Sequence, residues 1–184
     1  MAAATAEKIR ELKMLIGAVQ QPQAREFWSA PDLPSGVPRG VIVELLGPWR
    51  TEWFLQFLKM HPEFKTFWAE KKQLVLPTAI HQRGVDLNSI FFATLGDDIL
   101  SALRKVIQSQ LYEVVLAPTA FHEIKILKAL QLFTEKSNCT LFLLGDKTPS
   151  QAWPISMQLE IHKKDQTRFH VEVLKKRHGR NGDV

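Results

Sequence analysis

"ELLGPWRTEWFL", residues 44–55, has the outline of a phosphate-binding loop and none of its side-chain chemistry. Around its start, Val41-Ile42-Val43 and Leu45-Leu46 form an apolar run that predicts a strand, and Gly47-Pro48 predicts a tight turn. Glu52, Trp53, Phe54, Leu55, Phe57 and Leu58 then predict the start of a helix over residues 52–60. This is the strand–loop–helix setting of the motif G-x-x-x-x-G-K-[ST]. With Gly47 as the first glycine, Glu52 stands at the second, Trp53 at the lysine and Phe54 at the magnesium-holding hydroxyl. Phosphate handling needs free backbone amides, a lysine on the β/γ oxygens, a hydroxyl on Mg²⁺ and a carboxylate for water or metal. The turn is kept and the phosphate chemistry is lost, so no nucleotide cofactor is expected.

Downstream, the chain alternates strand and helix signals. "QLVLPTA" (73–79) predicts a buried strand, and "SIFFATL" (89–95) a second. Asp97 or Asp98 is expected to cap a helix with the stripe Ile99, Leu103, Val106, Ile107. "LYEVVLA" (111–117) predicts a strand, and Thr119 is expected to cap a longer helix facing Ile124, Leu127 and Leu130 inward. "CTLFLLG" (139–145) predicts another buried strand. Finally, "SMQLEIHK" (156–163) and "RFHVEVLKK" (168–176) alternate apolar and polar residues around "KDQT", the pattern of an antiparallel hairpin. The fold class predicted is α/β, a mostly parallel sheet flanked by helices, with a C-terminal antiparallel hairpin and an N-terminal helix.

Upstream, Ile9, Leu12, Ile16 and Val19 mark one face of an amphipathic helix that Pro22 ends. "SAPDLPSGVPRG" (29–40) holds three prolines and two glycines and predicts a turn-rich connection. The expected organisation is a helix and linker over 1–28, a domain lacking nucleotide-binding motifs over 29–177, and a basic tail over 178–184.

The chain has 184 residues, 45% of them hydrophobic and 23% charged, which suits one globular domain. No apolar stretch approaches the roughly 20 residues of a membrane span, and the N-terminus turns charged too early for an export signal. A cytoplasmic location without membrane association is expected. The single cysteine, Cys139, excludes an internal disulfide and predicts a buried packing residue. The six histidines lack metal-ligand spacing, with only His162 and His170 near one another across the hairpin, and no metal or catalytic residue is predicted. Net charge is +5, and residues 160–184 contribute seven basic side chains against four acidic ones. That end reads either as a solvated terminus or as a contact for an acidic partner or DNA phosphates through Lys175, Lys176, Arg177 and Arg180.

The order of these landmarks resembles the RecA-type recombinases. "LPSGVPRGVIVELLGP" (33–48) is similar to the Leu-Pro-x-Gly-x-x-x-Gly entry into their first strand and phosphate loop. "HQRGVDLNSIFFATLGDDILSALRKVIQSQLYEVVLAPTA" (81–120) is similar to their Gly-Val-Asp turn, short strand, acidic-capped helix and following strand. "MQLEIHKKDQTRFHVEVLKKR" (157–177) is similar to the hairpin that follows the core. The departures are systematic: Ala117-Pro118 stands where the family has its magnesium-associated aspartate, and Pro77-Thr78-Ala79 follows the predicted strand without the glutamate that activates water.

Among RecA relatives without ATPase chemistry, the chain looks most similar to the ImuA proteins, on the Leu-Pro-x-Gly entry, the Gly-Pro turn and the "VEVLKKRHGR" ending. That likeness implies a non-enzymatic accessory protein of inducible translesion synthesis. Its implied partners are RecA, a Y-family polymerase-like protein and an error-prone replicative-type polymerase, with DNA and copies of the chain itself as further contacts. The alternative is a SulA-like division inhibitor binding the tubulin-like division protein. Ile9, Leu12 and Ile16 would face either the chain's own domain or a neighbouring RecA-like protomer. Trp49, Arg50 and Trp53 would either fill the emptied nucleotide cavity or anchor a partner.

Overall fold

The computed structural model describes residues 26–119, 123–145, 150 and 153–176. They belong to a compact unit spanning Glu26–Arg177. Nine strands and four α-helices are described: β1 Phe27–Ala30, β2 Leu33–Pro38, β3 Ile42–Leu46, α1 Arg50–Met60, β4 Thr66–Glu70, α2 Pro77–His81, β5 Ile90–Thr94, α3 Ile99–Ser109, β6 Val114–Pro118, α4 Ile124–Ser137, β7 Thr140–Leu144, β8 Met157–Lys163 and β9 Phe169–Lys176. The main sheet has seven strands in the order β5-β4-β6-β7-β3-β8-β9. Every pair in it is parallel except β8–β9. The predicted α/β class and C-terminal hairpin are therefore observed, while the predicted N-terminal helix lies outside the described residues.

Both faces of the sheet are covered, which is why its central strands read as near-continuous apolar runs. Trp53, Phe54, Phe57 and Leu58 of α1 pack with Val43, Leu45, Trp68, Phe142, Leu159 and Ile161 on one face. Leu103 and Ile107 of α3, with Leu127 and Leu130 of α4, pack with Ile42, Val115, Leu141 and Leu143 on the other. Cys139 is buried in this second layer. Burial pushes its thiol up to about 12, so it stays protonated at neutral pH. Native protein at pH 8 is therefore expected to react with a thiol-specific disulfide reagent only as fast as it opens. Urea-unfolded protein should react promptly, and prompt labelling of the native state would show that the layer is not closed.

Four sequence expectations are corrected. First, residues 73–79 do not form the buried strand. Leu74 is 83% exposed and Leu76 64% exposed, and Pro77 opens the short helix α2, where its missing N–H is no loss. The strand at that place in the sheet is β4, whose Phe67, Trp68 and Ala69 are buried in a short apolar stretch between Lys65 and Lys71. Second, residues 29–40 are not merely a connection. β1 and β2 pair as an antiparallel hairpin, and because a two-stranded sheet is all edge, it accommodates Pro34 and Pro38.

Third, Thr119 does not cap α4. Its amide continues the β6–β7 ladder by donating to the Leu144 carbonyl at 3.0 Å, and Glu123 holds the N-cap position. Fourth, the cap of α3 is corrected in part: Asp98 stands at the N-cap, one of the two expected positions, but makes no side-chain capping bond, and Asp97 pairs with Lys71 at 2.7 Å.

One buried carboxylate is satisfied within the fold. Glu44 on β3 lies in register with Gln158 on β8. It accepts hydrogen bonds from the Gln158 amide at 2.6 Å and the Ser150 backbone N–H at 3.0 Å. Two donors offset the cost of removing this group from water.

Candidate functional site

In open α/β sheets, ligands bind beyond the C-terminal ends of the strands. Here that rim carries the Gly47 turn after β3 and the Lys163–Phe169 turn between β8 and β9. Only Gly47, Pro48 and Trp49 separate β3 from α1. Pro48 has no N–H, and the Trp53 amide already donates to the Trp49 carbonyl at 2.9 Å. Three residues are too few to wrap a phosphate chain in backbone amides.

Each motif residue has another task. Gly47 has φ +86°, and a β-carbon there would collide with the Ile161 carbonyl and stand 3.0 Å from its nitrogen. The glycine is required because β8 runs against the turn. Arg50 folds back to donate to the Gly47 carbonyl at 2.8 Å. Glu52 pairs with Arg83 at 2.6 Å. Trp53 is fully buried: its ring stacks on Phe57 at 6.0 Å, and its indole N–H donates to the Pro31 carbonyl at 2.7 Å. Phe54 is also fully buried, edge-on to Phe142 at 5.1 Å and Trp68 at 5.7 Å. The Trp49–Trp53 pair is thus divided, since Trp53 packs in the core while Trp49 is half-buried at the surface.

The carboxylate at the neighbouring strand end is a further correction. With β4 at Thr66–Glu70, its last residue is Glu70, so an acidic side chain does stand at the end of the strand following α1. It is engaged locally, accepting the Leu74 amide at 2.8 Å, the Val75 amide at 3.4 Å and the Trp68 indole N–H at 3.3 Å. Those bonds organise the loop into α2. At the end of β6, Ala117-Pro118 provide no carboxylate.

A cleft of about 450 Å³ opens beside the Gly47 turn, between the outer face of α1, Arg83 and the β8–β9 turn. Trp49, Glu52, Gln56 and Lys59 recur along α1 at helical spacing and form one wall. The opposite wall is held firmly. Asp165 accepts from the Thr167 and Arg168 amides at 3.0 and 2.9 Å and from the Arg168 guanidinium at 2.8 Å. Asp32, in the β1–β2 turn at φ +52°, accepts the Phe169 amide at 2.7 Å. Lys163 places its ammonium 4.6 Å from the centre of the Trp49 ring.

The Thr167 amide first, then Arg168, pull the exposed Asp165 carboxyl from its ordinary 3.8 to about 2. A depressed folded-state value means that its contribution is complete above the unfolded value and is lost as pH falls through the folded one. Carboxyl NMR titration should therefore give a midpoint near 2, with the turn amides losing protection over the same range. A midpoint near 4 would mean the carboxylate does not cap the turn.

No protein-family model matches the sequence, and comparison with curated proteins finds no significant match. The site is defined by its own geometry. Of the residues predicted from sequence, Gly47, Trp49, Arg50 and Glu52 stand at this rim, Trp49 and Glu52 lining the cleft, whereas Trp53 and Phe54 pack in the core. Antiparallel pairing sets Lys176 opposite Met157, the first residue of β8, so Lys175 and Lys176 stand at the other end of the hairpin. Lys176 lies over the Phe27 ring at 5.8 Å. Ile9, Leu12, Ile16, Arg177 and Arg180 lie outside the described residues. His162 and His170 face each other in register, as their spacing suggested. Sequence reasoning missed Lys59, Arg83, Lys163 and Arg168 as a group. Their signal was weak, because they come from three separate segments that only the tertiary fold assembles. No helix among the described residues is long and apolar enough to cross a membrane.

Proposed function

We propose that this chain is a non-enzymatic accessory protein of inducible translesion DNA synthesis, an ImuA-like relative of the RecA-type recombinases in which the nucleotide machinery has been given over to packing. The single observation that carries this reading is the fate of position 53: where the motif wants a lysine, a tryptophan is sealed in the core and hydrogen-bonded to Pro31. The shortened loop and the absence of a carboxylate after β6 support the same reading. Glu70 at the end of β4 is held by its own loop, and one carboxylate without lysine or hydroxyl does not handle a triphosphate. What is left is a RecA-like surface suited to protein partners: RecA itself, a polymerase-like protein and an error-prone replicative-type polymerase, with DNA as a further contact.

The test is co-purification of tagged full-length chain from DNA-damaged cells, paired with calorimetry against Mg·ATP. The expected result is specific recovery of RecA or polymerase-like partners and no heat of nucleotide binding. Recovery of the tubulin-like division protein, or saturable nucleotide binding, would overturn the proposal.

A further inference from the structure

The cleft beside the Gly47 turn has an unbalanced charge pattern. Its walls carry Lys59, Arg83, Lys163 and Arg168 against Glu52 and Asp165. Both carboxylates are already taken, Glu52 by Arg83 at 2.6 Å and Asp165 by Arg168 at 2.8 Å. That leaves Lys59 and Lys163 as the cations without a carboxylate partner among the described residues. Lys163 rests on the face of Trp49, and this contact leaves ammonium hydrogens directed away from the ring for an incoming acceptor.

We infer that this cleft is a docking site for a short acidic peptide segment of a partner protein, with carboxylates meeting Lys59 and, beside Trp49, Lys163. Its volume, about 450 Å³, falls within the roughly 300–1,000 Å³ of ordinary ligand clefts, enough for a few side chains. The β8–β9 wall is held in place by Asp165 and Asp32 before any ligand arrives, which lowers the ordering cost of binding. Nucleic acid fits less well: Lys163 lies over the Trp49 ring, and Phe169, the other aromatic of the lining, is buried, so neither ring is free for a base to stack on. The inference rests on the adaptor reading for the ligand's belonging to a protein partner; the charge pattern stands independently of it.

The experiment measures fluorescence anisotropy of a labelled hexaglutamate peptide titrated with the full chain, with oligothymidylate as comparator. Saturable, salt-sensitive peptide binding is expected, weakened about tenfold in a Lys59→Gln/Lys163→Gln variant, since two exposed ion pairs are lost. A Lys105→Gln/Lys136→Gln variant, altered at exposed positions of α3 and α4, the helices on the other face of the sheet, should bind as the parent does. Thermal unfolding midpoints of both variants should match the parent, because both pairs of side chains are at the surface. Equal weakening in the two variants, no weakening in the first, or tighter binding of oligothymidylate than of peptide would overturn the inference. Co-purification separates it from the proposed function. If partners are recovered equally by the Lys59→Gln/Lys163→Gln variant, the cleft is not the docking site and the adaptor reading stands. If the peptide binds but no damage-response partner is recovered, the cleft stands and the adaptor reading fails.

Discussion

Gly47→Ala is expected to destabilise the protein by about 3 kcal/mol or more, lowering Tm on the order of 6–12 °C for a chain of this size. Two penalties combine. The turn needs φ +86°, a left-handed conformation that an L side chain resists, and the new β-carbon would press on the backbone of Ile161 in β8. A backbone obstacle cannot rotate away as a side chain can. Gly96 supplies the control: it has φ +58° but nothing within 4 Å of where its β-carbon would stand. Gly96→Ala should therefore show the conformational penalty alone, roughly 1 kcal/mol. Urea denaturation of both variants measures the difference. If the two lose equal stability, the close approach of β8 does not explain why the glycine is kept.

Trp53→Ala is expected to cost roughly 3–5 kcal/mol, the usual range for emptying a buried aromatic site. The indole contacts Phe57 and is sealed from solvent, so its removal leaves a cavity at the centre of the α1 layer. Trp53→Phe keeps most of the ring volume but strips the donor from the Pro31 carbonyl, and should cost about 1–2 kcal/mol. Trp53→Lys, which restores the motif residue, should be at least as damaging as the alanine change, because it places an ammonium where a fully buried ring packs among apolar side chains. None of the three should acquire Mg·ATP binding. Chemical denaturation gives the stabilities, and calorimetry with nucleotide gives the second readout. A stable Trp53→Lys protein that binds nucleotide would show that the loop had kept its phosphate-binding geometry.

The contrast between these two positions shows what local pattern can report. The loss of the phosphate motif is written in residue types: no lysine stands at 53 and no hydroxyl at 54. The reason for keeping Gly47 is not, because its constraint comes from Ile161, distant along the chain and brought against the turn by β3–β8 pairing. The strand at 66–70 was missed for a related reason. Phe67, Trp68 and Ala69 form a three-residue run set closely between Lys65 and Lys71, yet pairing with both β5 and β6 buries them. Leu74-Val75-Leu76 gives the stronger local signal and lies mostly exposed, because no neighbouring strand is there to receive it. The consequence reached the site, since moving the strand placed Glu70 at its end.

By itself, the order of residues determined the alternating α/β plan, the parallel core strands, the terminal hairpin and the absence of phosphate-handling side chains. These follow from hydrophobic period, turn chemistry and residue identity, all local properties of the chain. Only the tertiary structure decided which strand holds the second core position, why Gly47 is irreplaceable, where Trp53 points, and that Lys59, Arg83, Lys163 and Arg168 share one cleft. Each of these depends on groups distant in sequence coming within a few ångströms, and such proximity is set by packing, which no single segment encodes.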